Sequence, residues 1–273
     1  MDTPPPPPQP AAFKHYLSIA AIAKNEAPYI REWIEYHLIA GVDKFYIYDN
    51  ESEDGLKNVL QPYIKSGIVE YKYIGGKDRQ IDAYNKTLKK ARKETYWLTP
   101  IDIDEFIVPI STKTISEFLK DFEDFEGIKL NWLVYGSGGQ KTKTDGLVIE
   151  RFKDHAQSGS VMGKVIINPR RTVTAGVHDA YYMYGALPVD PNKNRTPHHG
   201  GEICIDKMRV NHYFGKSWEE FLHKKNRGKS LASKTDRPYD EAQFISHDKN
   251  EVKNDPVMDK YIPLIYENLK HRE

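Results

Sequence analysis

One cysteine, Cys204, is all that the 273 residues contain, so no intrachain disulfide can form and the fold must stand on packing and hydrogen bonds. No apolar run approaches the roughly 20 residues that cross a bilayer, and the N-terminus lacks the charged and apolar regions of a secretory signal, which together predict a cytoplasmic protein. Net charge is nearly absent as well. Forty Lys and Arg face 39 Asp and Glu, which gives no field for nucleic acid, and no nucleic-acid partner is expected. Local basic clusters can still serve a phosphorylated ligand. Also missing is a Gly-rich loop with Lys or Arg after the first apolar segment, the device that cradles a triphosphate. What the chain has in quantity is tyrosine, 18 of them, whose flat face and polar tip suit sugar rings and bases but serve cores equally well.

Read in order, Met1 to Phe13 is a Pro-rich tail expected to be disordered or polyproline II-like. Tyr16–Ala23 predicts a buried strand, Pro28 opens a helix over 29–39, and Lys44–Tyr48 is a second strand ending in the polar turn Asp49-Asn50-Glu51-Ser52. A helix over 56–65, a strand over 68–73, a helix over 79–92 and a strand over 96–101 follow. That alternation predicts parallel strands with crossover helices, an arrangement that binds ligands beyond the carboxyl ends of its strands. Further on, the pattern predicts a short helix over 116–125, strands over 128–134, 148–152, 161–167 and 208–213, loops over 135–140 and 188–201, a basic helix over 216–229 ended by Gly228, and a last helix near the C-terminus. His198 and His199 are read as loop residues.

The chemistry concentrates in Asp102-Ile103-Asp104-Glu105, three carboxylates inside an apolar run. Buried carboxylates need compensation. At strand spacing Asp102 and Asp104 project to the same side, two hard oxygen donors suited to Mg²⁺ or Mn²⁺, although strand capping or pairing with Lys or Arg explains isolated acids as well. Glycosyl transfer from a nucleotide sugar asks for such an ion against the departing diphosphate, for a further cation, and for a base on the acceptor hydroxyl. His212, after a strand and between Asn211 and Tyr213, is the candidate third ligand and favours Mn²⁺.

Ala23-Lys24-Asn25-Glu26, the Asp49 to Ser52 turn, Arg79-Gln80 before Ala83-Tyr84-Asn85, Asp102 to Phe106, Asn131-Trp132 before a Gly/Ser loop, and Asn211-His212-Tyr213 before Lys216-Ser217 occur in one order. In that order they resemble the GT-A-fold glycosyltransferases, in particular the family 2-like and family 92 branches, over residues 16–230. The resemblance implies a single α/β domain with a mostly parallel sheet, divided into a nucleotide-sugar half over 14–110, an acceptor half over 111–235 and a C-terminal helical extension over 236–273.

It also implies roles. Lys24, Asn25, Glu26, Asp49, Asn50, Ser52, Arg79, Gln80, Asp102 and Lys216 would bind the donor, with Asp102 on ribose or metal. Asp102, Asp104 and His212 would hold Mn²⁺ or Mg²⁺. Trp132, Ser137 and His178 would face the acceptor, and Asp179 is the candidate base, with Asp206 and Glu202 as competitors. Relatives often close the Trp-containing loop with Gly-His, whereas Gln140 follows Gly139 here, so that histidine's role does not transfer. The expected activity is metal-dependent transfer, with inversion, from a nucleotide sugar, a UDP-sugar first, to a saccharide or glycolipid met by peripheral membrane contact. A sugar-phosphate nucleotidyltransferase and a non-catalytic carbohydrate-binding protein are the alternatives.

Overall fold

The structure is a computed structural model that describes residues 13–198, 200–227 and 240–272. The expectations for the tail through Ala12, for His199 and for Gly228 therefore lie outside the described residues. The strands are β1 (His15–Ala23), β2 (Lys44–Asp49), β3 (Val69–Tyr73), β4 (Thr95–Pro100), β5 (Glu105–Pro109), β6 (Gly127–Val134), β7 (Ser160–Ile167), β8 (Thr172–Ala175), β9 (Ala180–Tyr182) and β10 (Met208–His212). Helices α1 (Ala27–Ile39), α2 (Leu56–Val59), α3 (Gln61–Lys65), α4 (Gln80–Glu94), α5 (Ile115–Leu119), α6 (Val148–Arg151), α7 (Trp218–Arg227), α8 (Glu241–His247) and α9 (Ile262–Lys270) lie between and after them.

Eight strands make one sheet in the order β3-β2-β1-β4-β7-β6-β10-β5, and β8 pairs with β9 in a separate hairpin. Strands β3, β2, β1 and β4 are parallel to one another, β7 runs antiparallel to both β4 and β6, and β10 is parallel to β6 but antiparallel to β5. This mixed α/β sheet, with a parallel half followed by an acidic turn after β4, is the layout that the GT-A resemblance implies. Central parallel strands are buried on both faces, which is why β1 and β4 read as nearly unbroken apolar runs. Alternate residues of β1 feed two cores. Leu17, Ile19 and Ala21 join the core beneath α1, while Ala20 and Ile22 join the one beneath α4.

The edge strand β5 carries the acidic motif into the sheet, and α1 covers its outer side. Trp33 Nε1 donates to the Glu105 carbonyl at 2.8 Å, Tyr36 Oη to the Ile107 carbonyl at 2.9 Å, and the Ile107 amide donates to His37 Nε2 at 3.3 Å. Aromatic side chains thus satisfy the backbone groups that a bare sheet edge would expose. The C-terminal segment packs on the same layer: Arg31 donates to the Leu269 carbonyl, and buried Glu35 accepts from Tyr63, Asn268 and Arg272.

Three expected segments change. Residues 148–152 form α6 and not a strand, because the buried carboxylate of Glu32 accepts the amides of Val148 and Ile149 at 2.7 and 3.0 Å and so fixes a helical turn. The segments 56–65 and 116–125 each fragment, the first into α2 and α3, the second into α5 and a 3₁₀ turn over Lys120–Phe122. Among the described residues no helix is long and apolar enough to cross a membrane.

Candidate active site

The loops after β1 and β2 are stitched together. Asn25, in the left-handed region at φ 54°, donates its amide to Ser52 Oγ at 3.0 Å and accepts the Glu53 amide at 2.8 Å. Asp49 accepts from Tyr71 Oη at 2.7 Å and from the Ser52 amide at 2.9 Å, so both its oxygens shape the turn. Asn50 donates to the carbonyls of Ile74 and Gly76, which ties in the loop ahead of α4. Lys24 is half-buried beside them, and Asn25 and Glu26 line a cavity of about 520 Å³. Arg79, expected to bind the donor, is instead turned onto Asp82 of the adjoining helix at 2.6 Å.

The acidic motif is not a strand. Asp102 to Glu105 form a turn closed by the Glu105 amide on the Asp102 carbonyl at 3.1 Å, so the alternation that would put both acids on one side does not apply. Asp102 faces α4 and β7. Its Oδ1 accepts from Gln80 at 2.8 Å and Tyr84 at 3.2 Å, and its Oδ2 meets Lys164 Nζ at 2.7 Å. Lys164 is fully buried and also lies 3.3 Å from Glu105. Burial would discharge this lysine, but the carboxylates of Asp102 and Glu105 outweigh it and raise its pKa; burial in turn pushes Glu105 upward against that ammonium.

Asp104 faces the other way, toward β10 and α7. Its Oδ2 lies 3.8 Å from His212 Nε2 and 2.5 Å from Lys224 Nζ, which also donates to the Phe214 carbonyl and sits 3.9 Å from the centre of the Phe214 ring. Burial opposes ionisation of Asp104, yet the ammonium groups of Lys224 and Lys216 hold it well below the usual carboxylate range. Burial lowers His212 to about 3, so its imidazole is neutral. Its Nδ1 is buried with no hydrogen-bond partner among the described residues. An ionised carboxylate and a neutral imidazole converging within 3.8 Å, with an ammonium standing where a cation is wanted, fit Mg²⁺ or Mn²⁺ completed by substrate oxygens. Among the described residues no three His, Cys, Asp or Glu side chains converge into a closed cage, and Asp102 belongs to the Lys164 cluster.

Lys216 links this pair to the cavity. It has φ 54°, its ammonium lies 4.4 Å from the centre of the Tyr29 ring, and it lines the cavity with Lys143, His223 and Lys224. Glu220 anchors the turn that carries it, accepting from Ser217 Oγ at 2.6 Å and pairing with Arg151 at 2.6 Å. Of the residues expected to face an acceptor, Trp132 lies between two histidines, 4.4 Å from the ring of His212 and 5.1 Å from that of His178. Asp179, at the β8–β9 turn, accepts the Ala180 amide and meets His198 Nδ1 at 3.1 Å, while its buried Oδ2 has no hydrogen-bond partner among the described residues. Ser137 is set apart: its hydroxyl accepts the Gly139 amide, and its own amide donates to Asp248.

Sequence reading passed over Lys164 and gave Lys224 no role. A lysine set against Val165-Ile166-Ile167 in an apolar strand was a signal that a buried acid waits for it, and Lys224 stands one helical turn after Phe221 on the buried side of α7.

The profile of glycosyltransferase family 92 matches residues 14–243. A glycosyltransferase family 92 protein of Oryza sativa subsp. japonica is 32% identical over 110 residues, 40% of this chain and 19% of that protein. A beta-1,4-galactosyltransferase of Caenorhabditis elegans is 27% identical over 242 residues, 82% of this chain and 54% of that one. A galactan beta-1,4-galactosyltransferase of Arabidopsis thaliana is 25% identical over 216 residues, 72% and 41%. The chain thus spans about half or less of the length of these relatives. With the family profile covering most of its residues, the chain belongs to glycosyltransferase family 92.

Proposed function

We propose that the chain is a metal-dependent glycosyltransferase that moves a sugar, with inversion, from a nucleotide-sugar donor to a hydroxyl of a saccharide or glycolipid. The observation that carries this reading is the placement of the Asp104–His212 pair beside a cavity lined by Lys143, Lys216 and Lys224 along with Glu26, Glu53 and Asp54, with the stitched loops of β1 and β2 at its rim. Two relatives are named as beta-1,4-galactosyltransferases, which makes UDP-galactose the first donor to test. A β product from an α-linked donor requires inversion.

In this reading Asp104 and His212 hold Mn²⁺ or Mg²⁺, which when bound neutralises charge on the diphosphate. Lys216 adds positive charge on the same side. Gln80 and Asp102, the latter held in place by Lys164, hydrogen-bond donor hydroxyls. The acceptor oxygen bonds to the anomeric carbon as the bond from that carbon to the phosphate oxygen breaks, its electron pair leaving with the diphosphate. Asp179 takes the acceptor proton, and the Trp132–His178 surface orients the acceptor.

The test is a panel of UDP-, GDP- and CMP-sugars with and without Mn²⁺, read by thermal shift and by donor turnover. A donor that neither raises the melting temperature nor is consumed, across the whole panel, overturns the reading. Asp104→Ala is expected to remove at least 99% of turnover with the fold intact. Asp179→Asn is expected to keep donor binding and lose transfer; full transfer in that variant would move the base elsewhere.

A further inference from the structure

We propose that Lys224 is a resident counter-ion that competes with the metal for Asp104 and is released toward the donor diphosphate, so that metal and donor bind cooperatively. The inference rests on the reading of Asp104 and His212 as the cation pair. It adds a residue of α7 that composition alone would leave on a solvated helix face.

The geometry carries it. Lys224 Nζ lies 2.5 Å from Asp104 Oδ2, the oxygen that also faces His212 Nε2 at 3.8 Å. A divalent ion drawn to this pair therefore meets an ammonium already on one of its ligands, and two cations on one carboxylate oxygen repel. Lys224 is placed to leave without entering bulk water. Its side chain is mostly buried, its stem passes over the Phe214 ring, and it lines the same cavity as Lys143, Lys216 and His223. A diphosphate in that cavity gives the displaced ammonium a new anion.

Metal without nucleotide has to displace Lys224 uncompensated and binds weakly. Nucleotide without metal finds Lys224 still paired to Asp104. Each ligand removes the obstacle to the other, and linkage makes the enhancement equal in both directions. Until both arrive, Lys224 keeps a buried carboxylate neutralised, which protects the apo fold from an unpaired charge.

The experiment titrates Mn²⁺ into the full chain by calorimetry, with and without UDP, for wild type, Lys224→Met, Lys224→Arg and Asp104→Asn, with thermal unfolding to verify folding. Wild type is expected to bind Mn²⁺ at least tenfold more tightly with UDP than without it. Lys224→Met, which keeps most of the stem and loses the charge, is expected to bind Mn²⁺ alone at least tenfold more tightly than wild type, with the UDP enhancement largely lost. Lys224→Arg should retain the wild-type pattern. If Lys224→Met binds Mn²⁺ no better than wild type, or keeps the full UDP enhancement, while Asp104→Asn abolishes binding, the counter-ion role is wrong and the metal pair stands. If no variant binds Mn²⁺ with or without UDP, the role of Lys224 and the metal reading fall together.

Discussion

Replacing Lys164 with Met tests the least visible part of the site. The lysine is fully buried between Asp102 Oδ2 at 2.7 Å and Glu105 Oε2 at 3.3 Å. Methionine fills most of the same volume, so the packing loss is small and the change is electrostatic. Breaking a buried pair costs about 3–5 kcal/mol because the other charge is left without compensation. Here the lower end applies, about 3 kcal/mol, since the Asp102 side chain is 32% exposed and keeps Gln80 and Tyr84. For a chain of this size that is a fall in melting temperature of roughly 6–12 °C. The pH dependence is more discriminating. Glu105 is an acid whose folded pKa is raised, to about 8, so the native state holds its proton more tightly than the unfolded state and stability declines as pH rises from 4.5 to about 8. Above that, wild type levels off because Glu105 ionises against Lys164. Without the ammonium the carboxyl stays protonated to higher pH and the decline continues, so the penalty grows by up to about 1.4 kcal/mol between pH 8 and 9. Urea unfolding at pH 7 and 9 measures both quantities. A variant within 1 kcal/mol of wild type at pH 7, or a penalty that does not grow at pH 9, refutes the pairing as described.

His37 is held neutral by burial, its pKa lowered to about 3, with its Nδ1 on the Trp33 carbonyl and its Nε2 accepting from Ile107. Because this is a base with a depressed pKa, the unfolded state takes up the proton first and stability is lost as pH falls from 6.5 toward 3, by at most about 4–5 kcal/mol. His37→Gln, which does not titrate, should show a flatter acid limb in urea unfolding, and parallel curves for the two proteins would remove His37 from the account. At Gly163 an added Cβ would stand 1.7 Å from the Leu130 carbonyl oxygen, so Gly163→Ala must push β7 from β6 and is expected to cost about 3 kcal/mol or more. A melting temperature within 2 °C of wild type would contradict that spacing.

Much of the N-terminal half was legible because its signals are local. The apolar run of β1, the Pro28 helix start, the polar turn after Tyr48 and the amphipathic Gln80–Glu94 segment depend on period and punctuation, and each appears close to where those place it. The second half depends on contacts distant in sequence. Val148-Ile149-Glu150-Arg151 has the composition of a strand, and only Glu32, more than 100 residues earlier, makes it a helical turn. The antiparallel insertion of β7 between β4 and β6 likewise has no local mark, so the apolar setting of Lys164 signals a buried acid without saying which one.

The same distinction explains the acidic motif. Spacing alone groups Asp102 with Asp104, but the turn at 102–105 aims them at different layers, Asp102 at Gln80, Tyr84 and Lys164, Asp104 at His212 and Lys224. Each acid acquires its own buried lysine, and the two lysines differ in a way that matters. Lys164 is enclosed, shared with Glu105, and not among the residues that line the described cavity, so it serves to fix Asp102 in place. Lys224 reaches Asp104 from a helix that lines the cavity, so its partner can change when an anion enters. Two acids separated by one residue thus divide into a static and an exchangeable half. Behind both, α1 holds β5 through Trp33, Tyr36 and His37, which gives the turn a rigid base from which the two carboxylates diverge.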